Sequence, residues 1–183
     1  MVFSNLIFLY LFLPVCLIAY FFCPGIRAKN AVLILFSLIF YAWGEPVYLL
    51  LMIASAAVNW YFGLLIERRR KKIFLILALV LDLGCLAVFK YAGFFVENLN
   101  AVFGASIPVP QIALPIGISF YTFQALSYTV DVWRGDVPAQ RSFAKLLLYI
   151  SLFPQLIAGP ILKYHQVERY LQDRRTDLDA ISY

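Results

Sequence analysis

Charged residues are scarce in this chain of 183 residues. Only 14% of the residues are charged, 63% are hydrophobic, and the mean hydropathy is +0.84. Soluble domains usually carry about 25% charged residues, and a chain of this length has too little interior to hide so much apolar surface. The composition therefore excludes an ordinary soluble domain. It predicts an all-α, polytopic bundle of transmembrane helices that forms a single membrane domain.

Residues and motifs that carry enzyme chemistry are also few. The only histidine is His165, and the three cysteines, Cys16, Cys23 and Cys85, show neither a CxxC motif nor the spacing of metal ligands. The sequence contains no GxSxG elbow, Walker loop, HExxH motif or dinucleotide fingerprint. It predicts no metal site and no tightly bound cofactor. We expect His165 to be exposed and inert, because no nearby residue could position it as a base.

The long apolar runs predict the membrane topology. Five spans are expected, at about residues 2–22, with a kink at Pro14, and at 31–43, 47–66, 73–91 and 112–132. The run 143–162 is interrupted by prolines and predicts a broken or re-entrant helix. Residues 92–111 are rich in glycine and proline and predict a loop, with a short interfacial piece around 94–103. Residues 163–175 predict an amphipathic helix on the membrane surface.

The basic residues are concentrated in a few loops. The net charge is +5, and five of the fifteen basic residues lie in the stretch Arg68–Lys72. Loops with an excess of lysine and arginine remain in the cytoplasm, so we expect this stretch, together with Arg27 and Lys29, to be cytoplasmic. The N-terminus is then external. Nucleic-acid binding is a less favoured interpretation of the basic stretch.

The segment 114–135 combines a long helix with a narrow polar face. At the helical period, Gly117, Tyr121, Gln124, Tyr128 and Asp131 fall on one side. Such a face is costly in a bilayer unless it contacts protein, water or a substrate. Two interpretations stay open: these side chains join helices by hydrogen bonds, or they line a passage for substrate.

Other polar residues in the predicted spans suggest contacts between helices. Asp82 lies near the middle of a span, so its carboxyl group requires a partner from another helix. We give a structural hydrogen bond more weight than a functional role. Asn59 is a second buried polar candidate, because Ser55, Asn59 and Gly63 recur every four residues on a face suited to close packing. For Asp131, a local ion pair with Arg134 is the simplest expectation, and it would contribute little.

Two long motifs resemble a known family. LPIGISFYTFQALSYTVDVWRG (114–135) and LFPQLIAGPILKY (152–164), with FYAWGEP (40–46), resemble the membrane-bound O-acyltransferases. The similarity is closest to the bacterial branch that contains alginate O-acetyltransferase and the D-alanyl transfer protein of teichoic acid synthesis. The resemblance implies a helical bundle around a tunnel, in the bacterial inner membrane. It also implies transfer of an acyl group, such as acetyl, to the hydroxyls of an exported polysaccharide.

The same resemblance implies partners for the protein, and it implies that the catalytic residue lies outside this chain. The partners would be the lipid bilayer, an acyl donor such as acetyl-CoA or an acyl carrier, the polysaccharide acceptor and periplasmic polysaccharide-modification proteins. The family's essential histidine lies in a Trp-His pair. In this sequence none of the three tryptophans, Trp43, Trp60 and Trp133, is followed by histidine. We therefore expect no catalytic residue in this chain, which resembles the N-terminal part of a longer protein and would be inactive alone. A transporter or flippase fragment and a non-catalytic membrane scaffold are the alternatives.

Overall fold

The computed structural model describes residues 6–104, 106–110, 113–158 and 162–172, and this part of the chain is helical, without strands. A π-helical stretch, Phe8–Phe12, is followed by α1 (Leu13–Phe22), α2 (Gly25–Gly44), α3 (Tyr48–Arg69), α4 (Lys72–Phe103), α5 (Ile118–Arg134), α6 (Phe143–Ser151), α7 (Phe153–Ala158) and α8 (Tyr164–Gln172). Helices α2, α3 and α4 are long and apolar enough to cross a membrane. The predicted all-α membrane bundle is confirmed.

Helix α5 lies in the middle of the bundle. It has 17 residues, ten of which are buried, and it packs mainly against α3 and α4. The outer faces of the long helices instead expose large apolar side chains such as Leu35, Leu50 and Val80. Lipid is therefore the solvent of the outer helices, whereas most of α5 is covered by protein.

The start of α5 differs from the predicted span at 112–132. The helix begins at Ile118, directly after Gly117 in a left-handed conformation with φ of 77°. Pro115 lies just before this turn and lacks the N–H that a regular helix requires. A residue in the left-handed conformation also interrupts a right-handed helix, so α5 cannot extend back to residue 112. Residues 111 and 112 lie outside the described residues.

Helix α4 is longer than its predicted span at 73–91. It continues through Gly93 to Phe103, so the expectation of a loop at 92–111 is wrong for its first part, and the piece around 94–103 belongs to this helix. A single glycine inside a helix costs only about 1 kcal/mol, and the apolar residues after it extend the helix. The end comes at Gly104, in a left-handed conformation with φ of 62°.

The predicted broken helix is present, with its break at Leu152 between α6 and α7. Pro154 explains the break, because its ring would collide with the preceding turn of a continuous helix. The Phe153 N–H donates to Ser37 Oγ of α2 at 3.3 Å, inside the protein. A neighbouring helix thus satisfies a backbone group that the break would leave unpaired.

The remaining helices differ from the predicted spans mainly at their ends. Helix α2 starts at Gly25 rather than residue 31, because Arg27 and Lys29 join its first turns, where long basic side chains can extend toward the membrane surface. The π-helical stretch precedes Pro14, where a kink was expected, since a π-turn can accommodate the missing hydrogen bond. Residues 1–5 of the first span and 173–175 of the surface helix lie outside the described residues.

The basic residues gather at one end of the bundle. Consecutive helices α2 and α3 are joined by a short turn, so the start of α2 and the end of α3 lie on the same side. Glu67, at the end of α3, accepts a hydrogen bond from the Ala139 N–H at 2.9 Å and pairs with Arg141. The loop after α5 is thereby held at this same end. We call it the basic end.

Candidate functional site

All four predicted site residues on the polar face of α5 are buried. The side chains of Tyr121, Gln124, Tyr128 and Asp131 are 1%, 1%, 0% and 4% exposed. They therefore face protein rather than lipid. Their hydrogen bonding differs along the helix, and this difference separates two kinds of role.

At the basic end, Asp131 holds the start of α8. Its Oδ2 lies 3.1 Å from His165 Nδ1 and accepts a long hydrogen bond from the His165 backbone N–H at 3.4 Å. The histidine side chain is 39% exposed, whereas the carboxylate is buried. The expected ion pair of Asp131 with Arg134 is not formed, and the expectation that His165 has no positioned partner is wrong. This contact could not be predicted from the sequence, because the two residues lie on different helices.

One turn earlier, Tyr128 joins α5 to α3 and to the loop before α6. Its hydroxyl accepts a hydrogen bond from the Gln140 backbone N–H at 3.1 Å. Its ring packs where any Cβ at Gly63 would overlap it, and it meets the Tyr164 ring edge-on at 4.9 Å. The hydroxyl and the ring of Tyr128 therefore both make structural contacts inside the protein.

Tyr164 completes this layer. Its hydroxyl accepts a hydrogen bond from Gln140 Nε2 at 2.8 Å. Burial raises the pKa of Tyr164 to about 12, which the hydrogen bond from Gln140 partly opposes. The phenol therefore stays neutral at physiological pH and serves as a structural contact.

Asp82 has the partner from another helix that the sequence required. Asn59 Nδ2 donates to Asp82 Oδ2 at 2.8 Å, and Ser55 Oγ donates to Asp82 Oδ1 at 3.3 Å. Thr129 of α5 closes the network by donating to Asn59 Oδ1 at 2.7 Å. Sequence reasoning missed Thr129, although a threonine within a membrane helix is a recognisable signal for interhelical hydrogen bonding. Three helices are thus joined by one buried polar network.

The other half of the polar face, formed by Tyr121 and Gln124, lacks complete hydrogen bonding. The Tyr121 hydroxyl and Gln124 Oε1 are buried and have no hydrogen-bond partner within the described part of the chain. Gln124 Nε2 makes one long hydrogen bond, to Gln155 Oε1 at 3.4 Å. A buried polar group without a partner costs about 1–3 kcal/mol. Such groups in a native structure call for an explanation, and an unseen ligand or water is a common one.

Two cavities adjoin this unsatisfied half. Tyr121 lines a cavity of about 190 Å³ together with Asp82, Ser55, Cys85 and Thr122. A larger cavity of about 700 Å³ lies among α2, α6, α7 and α8, and Gln155, the hydrogen-bond partner of Gln124, lines it. The described lining of the larger cavity is mainly apolar, with four side chains that carry polar groups: Tyr149, Gln155, Gln166 and Tyr170. An apolar cavity of this size with a few polar groups is typical of small-molecule sites.

The chain offers little to hold a metal ion. Over the described residues, no group of three or more histidine, cysteine, aspartate or glutamate side chains is arranged as metal ligands. The chemistry available here is hydrogen bonding by tyrosine hydroxyls and glutamine amides, beside the carboxylate–histidine pair of Asp131 and His165.

Comparison with curated proteins gives full-length matches of this chain. It is 41% identical over its whole length to a Pseudomonas aeruginosa protein named "Probable alginate O-acetylase AlgI", and 41% identical to the Azotobacter vinelandii protein of that name. A Helicobacter pylori protein named "Peptidoglycan O-acetyltransferase" is 30% identical over 95% of the chain.

The chain spans 36%, 38% and 39% of the length of these three relatives. No protein-family model and no solved structure matches it. The relatives are in line with the resemblance that the motifs indicated: this chain is similar, over 95–100% of its length, to part of bacterial proteins named as O-acetyltransferases or O-acetylases.

Proposed function

We propose that this chain is part of a longer membrane enzyme that transfers an acetyl group to hydroxyls of a polysaccharide outside the cytoplasm. The observation that carries the proposal is 41% identity over the whole chain to proteins named as alginate O-acetylases, of which it spans little more than a third. The remaining part of such an enzyme would supply the catalytic histidine. That histidine would accept the proton of the acceptor hydroxyl.

Within this enzyme, the unsatisfied half of the α5 polar face contacts the substrates. The Tyr121 hydroxyl can donate to or accept from a saccharide hydroxyl, and the Gln124 amide can hydrogen-bond either a hydroxyl or an acyl carbonyl. The Tyr121 hydroxyl and Gln124 Oε1 are buried and have no hydrogen-bond partner among the described residues, which supports this assignment. Tyr128 and Asp131 support the site indirectly, by fixing the helices around it.

The polarity of the bundle supports an orientation. If the basic end lies in the cytoplasm of a bacterial inner membrane, the N-terminus and the Tyr121 end of α5 face the outside. Acetyl groups from acetyl-CoA or an acyl carrier would then reach the acceptor from the opposite side, and periplasmic proteins would handle the polymer. Relatives named for alginate and for peptidoglycan leave both classes of acceptor as candidates.

Replacing Gln124 by leucine in the protein expressed from its complete reading frame tests the proposal. We expect polymer acetylation to fall at least about tenfold at unchanged protein level, since a hydrogen bond in a buried site contributes about 0.5–1.5 kcal/mol and more where a partner is left unpaired. Phe123→Leu is the control, because Phe123 lies next to Gln124 on α5 but is 45% exposed. Normal acetylation by Gln124→Leu at normal protein level would contradict the assignment.

A further inference from the structure

A third cavity lies at the basic end, away from the polar face of α5. Its volume is about 440 Å³, and it lies between the beginnings of α2 and α6. Arg27 and Asn30 of α2 line one side, and Ser142 and Lys145 of α6 line the other. None of the proposed acyl-transfer residues lines this cavity.

The charges around this cavity favour an anion. Arg27 and Lys145 both line it, and neither forms an ion pair with any of the residues that the structure describes. The described lining contains no carboxylate. The first turns of two helices also converge here, and neither helix has a side-chain cap at its N-terminus. Helix N-termini carry partial positive charge and attract anions such as phosphate.

A separate observation at the cavity indicates a ligand with a hydrogen-bond donor. Asn30 is 7% exposed, and its Nδ2 donates to the Leu171 carbonyl of α8 at 3.1 Å. That bond fixes the amide, and Asn30 Oδ1 is left buried without a partner among the described residues. An acceptor held in place beside two cations suits a ligand that carries a hydroxyl next to its negative charge.

The wall of the cavity is apolar one turn farther along α2. Ala31 and Ile34 line it beyond Arg27 and Asn30. A polar opening above an apolar wall, at the surface of the membrane, matches a lipid better than a soluble phosphate compound. Basic pockets between transmembrane helices are known to bind anionic lipid headgroups.

We propose that this cavity binds the headgroup of an anionic phospholipid that carries a hydroxyl, of which phosphatidylglycerol is the test compound. The phosphodiester lies between the Arg27 guanidinium and the Lys145 ammonium, at the first turns of α2 and α6. A headgroup hydroxyl donates to Asn30 Oδ1. The acyl chain follows Ala31 and Ile34.

Lipid retention on the purified full-length protein, counted by native mass spectrometry in mild detergent, tests this site. Phosphatidylglycerol should remain bound under conditions that remove phosphatidylcholine. Arg27→Gln and Lys145→Gln should each weaken retention about fivefold, as expected for loss of one basic group at a membrane surface. The control is Lys29→Gln, which removes an equal charge from the same helix, where the ammonium lies over the Tyr20 ring at 5.1 Å.

A third variant separates binding from folding. Ser142→Asp places a carboxylate in the cavity, yet aspartate is as good an N-cap as serine, so α6 should be at least as stable. We expect this variant to lose phosphatidylglycerol while its thermal unfolding is unchanged. Equal loss in Lys29→Gln, retention by Ser142→Asp, or displacement of the lipid by millimolar glycerol 3-phosphate would each overturn the proposal.

Discussion

At the scale of single residues, the packing of α5 depends on the absence of one side chain. Gly63 lies where the Tyr128 ring crosses α3, and a Cβ there would overlap that ring. The sequence predicted a close-packing face from Ser55, Asn59 and Gly63, because small residues four apart lie on one side of a helix. It could not show which residue fills the space, since Tyr128 is distant in sequence.

We predict that Gly63→Ala destabilises the protein by about 1–3 kcal/mol, the usual cost of overfilling a packed core. The ring must move, and the hydrogen bond between the Tyr128 hydroxyl and the Gln140 N–H is strained or lost. Gly84→Ala is the matched control, because Gly84 lies in α4 with open space around it. Replacing a glycine inside a helix stabilises by about 0.5–1 kcal/mol. Unfolding in a graded series of SDS concentrations should move in opposite directions for the two variants, and equal shifts would contradict this packing.

At the scale of helices, the regular apolar segments were predictable, whereas their ends and mutual contacts were not. The sequence pattern predicted α2, α3 and the broken helix after Phe143, because apolar runs and prolines determine the structure of their own segment. It ended α4 too early, at residue 91 before Gly93, because whether a helix continues past one glycine depends on what the helix packs against. It predicted α8 as an amphipathic surface helix, but it could not predict the contacts of Asp131 and Asn30 that attach α8 to α5 and α2.

The attachment of α8 can be tested through Asp131. Asp131→Ala removes the oxygen that contacts the His165 backbone N–H and ring Nδ1, and hydrogen bonds to a charged group contribute about 1.5–3 kcal/mol. We expect backbone amides of α8 to exchange hydrogen at least about tenfold faster. Asp136→Ala is the control, since Asp136 follows α5 but is exposed.

Hydrogen–deuterium exchange followed by mass spectrometry reports on α8 separately from the other helices. Exchange in α8 that is equally slow in Asp131→Ala and Asp136→Ala would mean that the contact between Asp131 and His165 does not hold the helix.

At the scale of the whole molecule, lipid-facing helices enclose a polar helix. The helical period places Tyr121, Gln124, Tyr128 and Asp131 on one face of α5, and all four side chains are buried. The sequence could not divide that face into a satisfied and an unsatisfied half. That division depends on Gln140 and His165, the partners of Tyr128 and Asp131, which other parts of the chain supply. Function in this account therefore rests on the two residues that the fold leaves without full hydrogen bonding, Tyr121 and Gln124.

The most direct test of this claim is to remove only the hydroxyl of Tyr121. A purely structural Tyr121 predicts that Tyr121→Phe is neutral or slightly stabilising, with normal activity, because the hydroxyl has no partner among the described residues. We predict unchanged or raised resistance to unfolding together with polymer acetylation reduced at least about tenfold, both measured on the full-length protein. Full acetylation by a stable Tyr121→Phe enzyme would contradict the account.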